Sequence, residues 1–294
     1  MPLPLIRAAT RCAPVPAALR LARRARRAAI PAAGLFLAPL AAEAHEVWIE
    51  PDAWISAPGA PLSARVFNGE FFEGTELAWF PDRFPRAELV TAAQAAVIDG
   101  RLGDRPALAA PPLGEGLHIF VVRSGLSRLE YRSLEAFASF ASHKGYPDAA
   151  AEHLAAGHPE QGFGELYTRF AKALVSVGAG EGADRRTGLE VEITSLANPY
   201  LDGAAGGIEV EVTYKGAPRA GGQLEIFERA PGGAVTVFTR ITDAQGRATV
   251  PVKPGHDYLL DHVVLRAPEP GLAAERQAVW ESLWASLTFS VPAR

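Results

Sequence analysis

The residues best suited to chemistry sit near the start of the chain, in Ala42-Glu43-Ala44-His45-Glu46-Val47-Trp48. A cut after Ala44 makes His45 residue one, with a free α-amine and an imidazole on one residue. Those two nitrogens can close a chelate ring on a metal ion. The α-amine has a pKa of about 8, so a metal displaces its proton near neutral pH. Two nitrogen donors suit Cu(II) or Ni(II), at the upper end of the divalent affinity series. One residue is not a site, and a further ligand must come from a distant strand. His118 and His262 are the first candidates. In the blander reading His45 is only where the mature chain starts, its ring packed beside Trp48. Glu46, Glu50 and Asp52 add negative charge there, although such acids commonly end solvated strands.

The other candidates are weaker. His118 opens an apolar strand, where a lone histidine is more often hydrogen-bonded and half-buried than a ligand. His143 and Lys144 fall at a helix end, where a cation complements the helix dipole. His153 and His158 fit solvated or terminal positions, and His256 belongs to an exposed Pro254-Gly255 turn. No His-x3-His or His-Glu-x-x-His pair occurs. Trp280 and Trp284 read as core, while Trp48, Trp54 and Trp79 fit core or a groove equally. Glu281 is expected to pair with an arginine such as Arg276. The chain has no Gly-x-Ser-x-Gly elbow, P-loop or dinucleotide fingerprint, and nothing nominates a catalytic nucleophile or base. It reads as a non-enzyme.

What precedes His45 reads as a leader. Seven arginines crowd residues 1–27, an apolar run follows to Ala42, and Ala42-Glu43-Ala44 is a small-x-small cleavage site. This is the three-part form of a secretory signal peptide, and the apolar run is short for a bilayer span of about 20 residues. The leader takes with it seven of the 29 basic and one of the 33 acidic residues, leaving 22 and 32, a net charge of −10. That charge disfavours nucleic acid and anionic membrane and is compatible with cation binding. The single cysteine, Cys12, leaves too, so the mature chain has no disulfide or thiolate ligand. The expectation is a periplasmic protein without stable membrane insertion.

Short apolar runs bounded by Gly and Pro then predict strands at 47–49, 62–68, 77–80 and 118–122. Residues 134–141 carry apolar positions at helical spacing behind Ser133, an N-cap residue, with Gly145 to close the helix. A second short helix is predicted between Pro147 and Gly157. Residues 165–177 fit a helix and a strand equally. Residues 178–188 form a candidate linker, and about seven alternating strands with turn signals follow it. The prediction is a mostly β chain: a β-rich domain with a short helical segment over 45–186, then an immunoglobulin-like (transthyretin-like) β-sandwich over 187–294.

The stretches HEVWIEP, YTRFAKALVSVG, GLEVEITSLANPY, TDAQG and WESLWASLTF occur in that order. Together they resemble the periplasmic family called domain of unknown function 4198, similar to accessory proteins of nickel and cobalt uptake. The resemblance implies the same two-domain β architecture and an association with divalent metal. It implies no catalytic residues. Family members carry a histidine near the position of Val264; here it is His262, two residues earlier and on the same strand face. The sequence therefore predicts an exported protein that binds nickel, cobalt or copper through His45, His118 and His262, and that serves a metal-uptake transporter in the inner membrane. The alternative is a non-catalytic envelope interaction or structural module with no metal site.

Overall fold

The computed structural model describes residues 45–202 and 206–293; the expected leader and cleavage site lie outside them. The chain is mostly β, as its alternating patterns predict. In order it forms β1 (Glu46–Pro51), β2 (Ile55–Ser56), β3 (Leu62–Glu70), β4 (Glu73–Leu77), β5 (Arg86–Val90), β6 (Ala95–Val97), β7 (Leu108–Ala110), β8 (Gly116–Arg123) and β9 (Ser127–Tyr131). Two helices follow, α1 (Leu134–His143) and α2 (Ala149–Ala155), and then β10 (Phe163–Val177). The rest is β11 (Val191–Ser195), β12 (Ile208–Tyr214), β13 (Ala217–Pro218), β14 (Gln223–Arg229), β15 (Val235–Ile241), β16 (Arg247–Val250), β17 (Asp257–Arg266), α3 (Pro270–Arg276) and β18 (Trp280–Ser290).

A ten-stranded sheet in the order β15-β14-β17-β18-β10-β8-β5-β6 runs through the middle, with β2 and β9 also paired to β10. Residues 165–177, which fit both periods, are therefore strand. They run parallel to β18, with Glu165 opposite Trp280 and Ala173 opposite Thr288. β10 is buried on both sides along most of its length, which is why its apolar run lacks clean alternation. Its pairing with β18 joins the two segments expected to be separate domains: the sheet crosses the 186/187 boundary, and the described residues cluster as one unit.

Each face of this sheet carries its own core. Ala171, Ala173, Val175 and Val177 pack with Val47, Ile49, Leu62 and Val66 of the small β1-β3-β4 sheet. Phe170, Leu174, Leu260 and Leu287 pack on the other face with Val191, Ile193, Val210 and Val212 of β11 and β12. A buried Lys172 pins that second interface, 2.8 Å from Asp184 and 3.2 Å from Glu192. The expected linker thus supplies a buried ionic clamp through Asp184.

β1 is tied to β3 along one edge. Along its other edge, Ser286 Oγ donates to the Val47 carbonyl (2.7 Å) and Thr288 Oγ to the Ile49 carbonyl (2.6 Å). Two side-chain hydroxyls of β18 thereby satisfy backbone acceptors that would otherwise be stranded in the core. Helix α1 begins as predicted, with Ser133 Oγ accepting from the Ala136 amide, and Gly145 in the left-handed region (φ +88°) follows its end. The strand expected at 77–80 ends at Leu77, and Trp79 is buried in the loop that follows. Helix α3 was not foreseen from sequence. Among the described residues, no helix is long and apolar enough to cross a membrane.

Candidate functional site

The start of β1 lies where two distinct environments meet. The His45 carbonyl accepts from Arg169 Nε (3.2 Å) and Nη2 (2.7 Å). Arg169 is buried and held in turn over the rings of Tyr167 (4.5 Å) and Trp284 (5.4 Å). The backbone of His45 is therefore held in place. Its Nδ1 lies 3.4 Å from Glu70 Oε1, yet that nitrogen is buried without a hydrogen-bond partner. Two donor atoms each about 2.1 Å from one ion, at 90–110° to each other, stand roughly 3.0–3.4 Å apart. The His45–Glu70 spacing meets that condition.

Glu70 is placed by an unusual turn. The two residues joining β3 to β4 are Phe71 and Phe72, both at positive φ (53° and 61°). Hairpin turns of this hand favour Asn and Gly, and bulky side chains there cost about 1–2 kcal/mol each. Packing holds the turn. Phe72 meets Trp48 edge-on at 6.1 Å and lies under the Arg229 guanidinium at 4.3 Å, while Phe71 meets Phe227 at 5.9 Å. Trp48 is itself fully buried.

On one side of His45 opens a cleft of about 330 Å³. Its polar lining comes from His45, Asn68, Arg83, Ser124, Ser127, Tyr167 and Arg169, and its apolar floor includes Phe84 and Leu129. Among the described residues no carboxylate lines it.

On the other side Glu46 enters a buried ionic cage. Glu225, Asp261 and Ser286 are successive cross-strand partners on β14, β17 and β18. Glu46 reaches the same point from β1, so its carboxylate and those of Glu225 and Asp261 bring one oxygen each within 4.8 Å of one another. Lys144 Nζ sits among them, 2.6 Å from Glu46, 2.7 Å from Glu225 and 3.0 Å from Asp261, and 5.0 Å from the centre of the Trp284 ring. Burial opposes the ammonium, but the three carboxylates outweigh it and hold Lys144 charged above the usual lysine range. Burial pushes the Asp261 carboxyl up to about 7; Lys144 pulls it back, and Glu46 and Glu225 push it further. The chain end of α1 delivers Lys144 here: Tyr146, just beyond it, donates to the Val263 carbonyl (3.0 Å) and accepts from the Leu265 amide (3.1 Å). The cage has the carboxylate set of a metal site, but an internal cation, Lys144, already occupies it.

A second buried carboxyl adjoins this region. Glu165 accepts from Tyr131 Oη (2.8 Å) and from the Ser282 hydroxyl, which accepts from Trp284 Nε1 (2.9 Å). Burial pushes it up to about 7 in spite of those bonds and of Arg169.

The three histidines expected to form a site are not brought together. His118 lies in β8 opposite Val175, six residues along β10 from the arginine that holds His45, or roughly 20 Å at strand rise. Both of its ring nitrogens are engaged, Nε2 accepting from the Leu113 amide (2.9 Å) and Nδ1 donating to the Gly116 carbonyl (3.0 Å). Burial lowers its basicity. His262 pairs with Ala285 and through it with Phe170, on the face turned away from β1. Its Nδ1 donates to the Gln223 carbonyl (2.7 Å), and burial pushes its pKa down to about 4. The donor that does neighbour His45 is Glu70.

Other expectations change as well. His153 is buried, not solvated: Nδ1 accepts from Trp280 Nε1 (3.0 Å) and Nε2 donates to the Pro159 carbonyl (2.9 Å). His256 is half-buried, 3.1 Å from Glu228. Glu281 pairs with Arg266 (2.8 Å) rather than Arg276. The cage residues were missed, although Asp261 interrupting Leu259-Leu260-Asp261-His262-Val263-Val264-Leu265 was a visible signal, since a charge in a buried strand needs a partner.

The chain belongs to the family described as domain of unknown function DUF4198, whose profile matches residues 42–265. No curated protein matches it. Among solved structures it is similar to the tetra-tandem repeat in the extending region of a large adhesion protein, at 12% identity and a TM-score of 0.20, over 83% of this chain. It spans about half, 49%, of that chain.

Proposed function

We propose that this protein is exported to the periplasm and, once cut after Ala44, binds a divalent transition metal at its new amino terminus. Nickel, cobalt or copper would be the cargo, passed to an uptake transporter in the inner membrane. The observation that carries this reading is the His45–Glu70 pair, a buried imidazole nitrogen left without a hydrogen bond 3.4 Å from a carboxylate on another strand. With the freed α-amine, His45 would offer two nitrogens in a six-membered chelate and Glu70 one oxygen. That set suits Ni(II) and Cu(II). The protein acts as a binder and not as an enzyme, and the metal is its ligand rather than a resident cofactor.

The test is isothermal titration with Ni(II) and Cu(II) of a chain beginning at His45, beside one carrying an added alanine ahead of it. The expected result is metal binding by the first, weakened roughly 10- to 100-fold in the second and in Glu70→Ala, losses at least as large as those from altering outer-shell partners. Equal binding by all three would sink the proposal. The mass of the exported chain checks that His45 is residue one.

A further inference from the structure

We propose that the cleft beside His45 takes a small organic polycarboxylate, and that the cargo metal arrives as the complex of that anion. This rests on the metal-binding reading above and names the form of its substrate. Residues 45–294 carry ten more acids than bases, so a randomly chosen depression of this surface would be expected to include carboxylates. Among the described residues the lining of this cleft includes none, and it gathers two arginines and a histidine instead.

The polar groups are set to donate. Arg83 is exposed, oriented by one bond from Nη1 to the Ala78 carbonyl (2.8 Å) and by the Phe80 ring at 4.8 Å. Its remaining N–H groups can meet a carboxylate in the planar, paired geometry that guanidinium favours. The Asn68 amide and the Ser127 hydroxyl make no side-chain hydrogen bond to another described residue. Both can serve an incoming oxygen. Arg169 lies in the wall and adds positive charge without being free to move, because it holds the His45 carbonyl.

Coordination chemistry joins the cleft to the metal. His45 and Glu70 supply three donors, fewer than Ni(II) in tetragonal or octahedral form requires. His45 is also a lining residue of the cleft, so the positions left open on its metal are accessible from that space. A polycarboxylate lying there would fill them with oxygen while its outer carboxylate meets Arg83. A volume of about 330 Å³ is at the small end of ligand pockets, suited to a compact chelator.

Equilibrium dialysis of the chain beginning at His45, with Ni(II) and labelled citrate as the probe, tests this. The expected result is one citrate retained per protein, dependent on Ni(II). Arg83→Glu should weaken citrate retention by about tenfold or more, the cost of one lost charge-assisted contact, while binding Ni(II) without citrate like the parent chain. Citrate that strips Ni(II) from the protein and is not retained would overturn the proposal, as would equal retention by Arg83→Glu or equal retention without metal. Failure to take up Ni(II) with or without citrate would overturn the metal-binding reading and this one with it.

Discussion

Replacing Lys144 by Met is the most direct probe of how the His45 end of β1 is held. The substitution keeps the length of the side chain and removes its charge. It leaves Glu46, Glu225 and Asp261 within 4.8 Å of one another and nearly inaccessible to water. Removing one partner of a buried pair costs about 3–5 kcal/mol, and here one ammonium contacts three carboxyl groups. For a domain of this size that corresponds to a fall in Tm of roughly 6–20 °C. Part of the loss is recoverable with acid. Without the ammonium that pulls it back, the Asp261 carboxyl rises further and keeps a proton that an unfolded carboxylate, with a pKa near 4, has released. Stability of the variant therefore rises relative to the parent as pH falls from 7 to 5, by about 1.4 kcal/mol per pH unit for each extra proton held. Urea unfolding of both chains at pH 7 and pH 5 gives the two differences. A loss under about 1 kcal/mol at pH 7, or one that fails to shrink at pH 5, would refute the idea that Lys144 neutralises the cage. Adding Glu225→Gln and Asp261→Asn to Lys144→Met should restore much of the stability, because paired removal is far cheaper than orphaning one partner.

Glu165 titrates near 7 in the folded chain against about 4.3 unfolded. The native state thus binds more protons across that window, and the group loses stability for the protein as pH rises through it. Glu165→Gln should flatten the stability profile between pH 5 and 7 by up to about 1.4 kcal/mol per unit, measured by urea unfolding across pH; parallel profiles would refute the shift. Ser133→Ala removes the side-chain cap of α1 and should cost about 1 kcal/mol, read as a lower urea midpoint with an unchanged slope.

Much of the architecture was legible in the sequence because one-sided burial leaves an alternating trace. β12 reads Ile208-Glu209-Val210-Glu211-Val212 with every second residue buried, and its boundaries were visible. β10 defeated the same method: covered on both faces, it places Lys172 and Ala173 inward alike, so its sequence carries no period to read. The continuity of the sheet across the expected domain boundary escaped notice for a related reason. A parallel partnership between residues 165–173 and 280–288 leaves no local mark on either stretch. At the site, His45 lies beside a carboxylate and not beside either of the histidines expected to join it. His118 and His262 were chosen for their residue type, whereas the fold brings in Glu70 through the antiparallel pairing of β1 with β3. Asp261 and Lys144 each carried a signal on its own. Their meeting depends on how β17 and the end of α1 pack, which spacing along the chain does not encode.

The hydroxyls of Ser286 and Thr288 on the Val47 and Ile49 carbonyls have a consequence for the order of events during biogenesis. They lie 239 positions downstream of the groups they serve, so the opening strand cannot lock until the ribosome has nearly finished. Contacts this remote in sequence form slowly. A growing chain can pair the opening strand with β3 early, but its other edge stays open until residues 286 and 288 have been made. A fragment ending before Trp280 would leave the Val47 and Ile49 carbonyls without these two donors.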